Sequence, residues 1–287
     1  MKRAHWLAAI PLLAATGLPL AEAQDKIFRA SGGDPLAGKI ERVDDTKIYV
    51  TLSAGSTTVE RSQVARVEVP RPPTLDEAFG AMDKGRAADA VKTLDPLLQK
   101  YRGLAQDWIE EATARLGEAA VAAGDLAKAR ATFADFQRFY PKSRFTESVR
   151  AGEAEVLYVD KKNDQALKAF EAIVAAREKE LAPPEAEARV LGHACLRIGQ
   201  IYAAMKQPEK ALDSLLRTTT IYWQDPAATA EALYESAGIY ETLRNPARAR
   251  GQLEDLLREF SDSTLASKAR EKLKSLPTSE TAEPGKT

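Results

Sequence analysis

The chain has 287 residues, 44% hydrophobic and 29% charged, and its 41 Lys and Arg nearly balance its 42 Asp and Glu for a formal charge of −1. That size and composition fit a soluble globular protein able to bury a full core. The balanced charge supplies no global field for nucleic acid or an anionic membrane, so only a local patch could attract either, and nucleic acid is not an expected partner.

The N-terminus sets an expectation of export. Lys2, Arg3 and His5 form a basic start, Trp6 to Leu20 is an apolar run, and Ala21-Glu22-Ala23 places small residues where a signal peptidase cuts. Pro11, Gly17 and Pro19 interrupt the run, which is shorter than the roughly 20 apolar residues needed to span a bilayer. Residues 1–23 therefore read as a signal peptide, and the mature chain begins near Gln24 with no transmembrane segment. Cys195 is the single cysteine. It leaves no internal disulfide and no acylation site for a lipid anchor, and the expected location is periplasmic or extracellular.

Between Lys39 and Val69 apolar and polar residues alternate through Ile40, Ile48-Val50-Leu52, Val59 and Val67-Val69, with turn signals at Asp44-Asp45 and Ala54-Gly55-Ser56. Three to five short antiparallel strands are expected, forming a small β domain over residues 24–70. A sheet this small is marginal alone, so an SH3-like half-barrel leaning on its neighbour is expected. Pro70, Pro72 and Pro73 then end it, with 71–73 as a stiff linker. Thr74-Leu75-Asp76-Glu77 reads as an N-cap with acidic first-turn residues.

From Thr74 to Leu276 the chain repeats. Five pairs of a small residue followed four positions later by a large one occur at Ala90/Leu94, Ala129/Phe133, Ala166/Phe170, Ala211/Leu215 and Ala249/Leu253, spaced 39, 37, 45 and 38 residues apart. Twelve residues before each alanine stands another small residue: Ala78, Gly117, Ala154, Gly199 and Ala237. A tight helix crossing needs this alternation of small and large. Turn signals separate the two members at Lys84-Gly85, Gly124-Asp125, Lys162-Asn163-Asp164, Gln207-Pro208 and Asn245-Pro246. Five helical hairpins are predicted over 74–276, with a capping helix from Thr264 to Ser275 and a disordered tail over 277–287. The connection through Leu181-Ala182-Pro183-Pro184 is the expected irregularity.

Leu116-Gly117, Gly124, Ala129, Phe133 and Pro141, together with Ile198-Gly199, Tyr202 and Ala211, resemble the tetratricopeptide repeat family. Phe139-Tyr140-Pro141-Lys142-Ser143 and Phe260-Ser261-Asp262-Ser263 are similar to repeats of exported bacterial proteins that assist cell-envelope assembly, such as the Tol-Pal coordinator. The resemblance implies a mostly α, right-handed helical-hairpin solenoid whose first helices line a concave, partner-binding side. Counted in that register, the groove holds Phe79, Met82, Glu111, Glu118, Val121, Glu155, Tyr158, His193, Gln200, Glu231, Tyr234 and Glu241. This acidic and aromatic set favours a basic peptide or domain with an apolar anchor.

Catalysis finds little support. His193 is the one histidine of the mature chain, and it stands two residues from Cys195 on a predicted helix, so the two point apart. Gly33 to Lys39 has P-loop spacing, but Ile40 replaces the magnesium-binding hydroxyl and a strand follows. No catalytic residue, cofactor or metal is expected. The leading reading is a non-enzymatic scaffold in the cell envelope. A glycan- or peptidoglycan-binding accessory protein, with Trp108, Tyr158, Tyr222, Trp223 and Tyr234 for stacking, is the alternative, and an unrecognised enzyme the third.

Overall fold

The computed structural model describes residues 24–177 and 183–277. The expected signal peptide, the disordered-tail reading beyond Pro277, and Leu181-Ala182 of the irregular connection lie outside the described residues.

Five antiparallel strands open the fold: β1 (Asp25–Arg29), β2 (Leu36–Val43), β3 (Lys47–Leu52), β4 (Gly55–Glu60) and β5 (Val64–Glu68), in the order β4-β3-β2-β1-β5. Alternation puts Ile27, Ile40, Ile48, Val50 and Val59 on one buried face. Register shifts at Phe28/Arg29 and Ile40/Arg42 bend β1 and β2, and bulges of this kind curl the sheet into a half-barrel. β1 and the first residues of β2 precede the window that alternation marked. The run Lys26-Ile27-Phe28 is short, and Ile27 is buried only because β1 pairs with both β2 and β5. The P-loop-like stretch becomes a turn entering β2, where a Cβ on Gly38 would sit 2.6 Å from the Thr51 carbonyl oxygen.

The sheet is fused to the helices. The Trp108 indole donates to the Val69 carbonyl (2.9 Å), and the Gln106 side chain accepts from the Val69 amide (2.9 Å). Arg61 donates to the carbonyls of Arg102 and Gly103. Ile27, Ile40, Leu98, Tyr101 and Trp108 share one continuous core. That continuity supplies the burial a lone half-barrel of this size lacks.

Eleven helices follow among the described residues: α1 (Thr74–Asp83), α2 (Ala87–Lys100), α3 (Asp107–Ala122), α4 (Leu126–Phe139), α5 (Thr146–Val159), α6 (Asn163–Arg177), α7 (Glu185–Ala204), α8 (Pro208–Thr220), α9 (Pro226–Thr242), α10 (Pro246–Glu259) and α11 (Ala266–Ser275). Thr74 is not the N-cap that its sequence suggested. Pro73 takes that place with helical φ and ψ, and the Asp76 amide bonds to its carbonyl. Proline has no amide to leave unsatisfied, so the helix starts one residue early.

Ala90, Ala129, Ala166, Ala211 and Ala249 and their large partners Leu94, Phe133, Phe170, Leu215 and Leu253 are all buried. The small residues of the preceding helices explain the pairing. A Cβ on Gly117 would lie 2.1 Å from the Phe133 ring, and one on Gly199 would lie 2.6 Å from Leu215.

One turn design closes every hairpin. In each, two amides fold back on the end of the first helix, as Gly85 to Met82 and Arg86 to Ala81 in the first hairpin and Arg244 to Glu241 and Asn245 to Tyr240 in the last. The residue at the bend has positive φ: Gly85 (70°), Gly124 (80°), Lys161 (63°), Lys206 (58°) and Arg244 (57°). Glycine takes this conformation without strain, whereas a side chain raises its energy. Lys161→Gly, Lys206→Gly and Arg244→Gly are each expected to stabilise the fold by up to about 1 kcal/mol, read by chemical denaturation.

Candidate functional site

The odd-numbered helices pack neighbour to neighbour, α1 on α3, α3 on α5, α5 on α7 and α7 on α9, and so form one inner layer. The even-numbered helices cover its back. On the inner layer small residues at the crossings keep adjacent helices close, and the remaining polar side chains of successive helices meet.

They meet most fully on α5, α7 and α9. The Glu155 carboxylate accepts from Arg197 Nε at 2.9 Å and lies 3.1 Å from His193 Nε2. Arg197 also donates to the Gln200 side-chain oxygen at 2.7 Å, and the Gln200 amide donates to Glu231 at 2.8 Å. Tyr158 lies beneath the Arg197 guanidinium, 5.0 Å from its ring centroid, and its hydroxyl approaches Gln200. Five of the residues predicted for the groove therefore form one network: Glu155, Tyr158, His193, Gln200 and Glu231. Arg197 is the member that sequence reasoning missed. It stands four residues after His193 and three before Gln200, a same-face spacing that would have found it.

Burial raises the pKa of the Glu155, Glu118 and Glu235 carboxyls, but the net shift runs in two directions. At Glu155, with 14% of its side chain exposed, burial opposes ionisation, but the hydrogen bonds and charges of His193 and Arg197 outweigh it and bring the pKa down to about 2. At Glu118 burial prevails over Arg115 and His193 and pushes the pKa up. Glu235 is pushed up by burial and by the nearby Glu231 charge.

The remaining predicted residues divide between the two ends. Towards the C-terminus, Lys272 of α11 bonds to Glu241 at 2.6 Å and stands over the Tyr234 ring. Lys272 lies on the helix that the sequence marks as the cap, and it closes the inner layer with only 23% of its side chain exposed. Towards the N-terminus, Arg115 spans Phe79 and Glu118, with its guanidinium 5.6 Å from the Phe79 centroid. Met82 and Val121 pack partly into the core, and Glu111 is half-buried. The face is thus less purely acidic than expected, because Arg115, Arg197 and Lys272 are interleaved with its carboxylates.

His193 and Cys195 are separated by the body of α7. Burial pushes the Cys195 thiol up to about 11, so it is a packed thiol and not a nucleophile at neutral pH. The candidate stacking aromatics also divide. Trp108 and Tyr222 are core residues, Tyr158 and Tyr234 lie under cations, and Trp223 stands out with 61% exposure. No described helix is long and apolar enough to cross a membrane.

A tetratricopeptide repeat family model matches residues 115–143, which run from α3 through α4 into the following loop. Solved structures similar to the chain include the APC/C hetero-tetramer Cut9-Hcn1 (TM-score 0.53, 15% identity, covering 70% of this chain and 35% of that one). A tetratricopeptide repeat protein from Parabacteroides merdae gives a TM-score of 0.52 at 15% identity, covering 69% and 68% of the two chains. A thermophilic repeat protein from Thermus thermophilus gives 0.51 at 16% identity, covering 70% and 95%. The matched part of the chain spans about a third of the Cut9-Hcn1 chain. At these identities the likeness is one of fold, a tetratricopeptide-type helical solenoid. No curated protein matches in sequence.

Proposed function

We propose that the chain is an exported, non-enzymatic scaffold of the cell envelope that holds a basic segment of another protein on its inner helical layer. The observation that carries the reading is the network from Glu155 through Arg197 and Gln200 to Glu231. It ties three helices together side chain to side chain and leaves a fixed array of hydrogen-bonding groups at the surface. Positions fixed in advance lose little entropy when a partner arrives.

Charge favours a cationic partner. Glu118, Glu155, Glu231, Glu235 and Glu241 face Arg115, Arg197 and Lys272, so carboxylates exceed permanent cations on this surface. Tyr158 and Tyr234 supply the apolar contacts that accompany such recognition. Export rests on the N-terminal sequence pattern, and the envelope setting on the likeness of the Phe-Tyr-Pro-Lys-Ser segment.

The test is affinity capture from an envelope extract with the processed chain and with a Glu118→Gln, Glu231→Gln, Tyr234→Ala variant. These positions avoid the Glu155 and Arg197 pair that holds the helices together. The expected result is a partner retained by the first protein, lost by the variant at equal helicity, and weakened by salt. Equal capture by both would remove the inner layer as the binding surface.

A further inference from the structure

The turns joining the two helices of each hairpin all lie along one edge of the solenoid, and those of the third to fifth hairpins depart from the first two. Glycine occupies the positive-φ position in the first two turns, at Gly85 and Gly124, whereas Lys161, Lys206 and Arg244 occupy it in the next three. A strained conformation that glycine would relieve is retained three times in succession, each time by a cation. Persistent strain of this kind marks positions whose side chain is used.

Apolar exposure falls at the same places. Val159, Met205 and Leu243 are 39%, 37% and 38% exposed, and they account for three of the five large hydrophobic side chains exposed among the described residues. Met205 and Leu243 immediately precede the strained cation, and Val159 stands two residues before its own. Lys161, Lys206 and Arg244 are exposed and take part in no ion pair among the described residues; Lys161 Nζ lies 5.9 Å from the Tyr158 ring centroid, and Lys162 is paired with Asp160. Asp160, the acid within this row, is already held by Arg130 and Lys162; Asp164 and Glu209 lie beyond the turns, on α6 and α8.

We propose that this edge docks on an anionic lipid surface. Each turn tip offers one apolar side chain to the headgroup boundary and one unneutralised cation to the phosphates, which is the pairing that interfacial binding uses. Stacked hairpins carry their turns in a row, so successive tips meet a flat surface together, where a compact protein partner would meet one or two. The protein's overall charge of −1 opposes such binding, so the attraction has to be local.

The test compares the processed chain from Gln24 with a Lys161→Gly, Lys206→Gly, Arg244→Gly variant by co-sedimentation. The vesicles are equimolar phosphatidylglycerol and phosphatidylcholine in one arm and phosphatidylcholine alone in the other. Glycine fits the positive-φ turn, so the variant folds at least as well as the parent, and a raised midpoint of unfolding verifies this. The expected result is binding to the anionic vesicles that falls about a hundredfold in the variant and is weakened by salt. A Met205→Ser, Leu243→Ser variant loses binding through its apolar contacts while keeping the salt dependence. Absence of parent binding to anionic vesicles, equal binding to both vesicle types, or undiminished binding by the glycine variant would each overturn the proposal. So would capture of a poly-glutamate peptide by this edge without vesicle binding, which would assign it to an acidic protein.

Discussion

Gly117→Ala is expected to destabilise the protein by about 2 kcal/mol or more, and Phe133→Ala by about 3–5 kcal/mol. Phe133 is the wedge between the second and third hairpins. Its ring would lie 2.1 Å from a Cβ on Gly117 of α3 and 2.3 Å from one on Gly152 of α5, so it touches the backbone of two helices at once. Adding a methyl group to Gly117 drives the ring out of that slot. Removing the ring leaves a cavity that two packed backbones cannot close. The double variant Gly117→Ala, Phe133→Leu is expected to recover part of the loss, because the smaller side chain makes room for the methyl. Chemical denaturation followed by circular dichroism checks all three. A repeat array contacts only its neighbours, so the variants are expected to split unfolding into two transitions. Equal midpoints for parent and Gly117→Ala would remove the wedge.

The second large effect concerns acid. Glu155 has its pKa drawn from 4.5 to about 2 in the folded protein. A folded value below the unfolded one gives stability that is present above pH 4.5 and is lost as pH falls towards 2, and a shift of this size corresponds to roughly 3 kcal/mol. Glu118, Glu153 and Glu235 have raised values and act in the opposite sense. Their contribution is complete at low pH and is lost as pH rises through their folded values. Stability is therefore expected to rise slightly from neutral pH to mildly acid pH and then to fall steeply below pH 4.5. Arg197→Met separates the two effects. It strands the half-buried Glu155 carboxylate and is expected to cost about 2–4 kcal/mol at pH 7. The gap from the parent should close as Glu155 is protonated. Thermal unfolding across this range decides the matter, and a gap independent of pH would detach Arg197 from Glu155.

The repeat was legible in the sequence for a physical reason. Every hairpin meets the same steric demand, a small residue beside a large one at a fixed spacing, so Ala129/Phe133 and Gly117 report the same crossing as Ala211/Leu215 and Gly199. The half-barrel was legible in its middle strands, where alternation is long enough to read. β1 was not, because three residues carry no period and Ile27 is buried by partners that lie far along the chain.

The inner face shows the same division. The register implied by the family resemblance placed Glu155, Tyr158, His193, Gln200 and Glu231 on one surface, since residues at equivalent repeat positions point the same way. Which of them are satisfied depended on neighbours from other helices. Arg197 reaches Glu155 across 42 residues, and Lys272 reaches Glu241 across 31. The sequence by itself determined the hairpins and their turns, because those follow from local spacing and backbone preference. Only the tertiary structure decided the charge that each face presents, because an ion pair forms between side chains whose separation is fixed by packing, and periodicity carries no record of that distance.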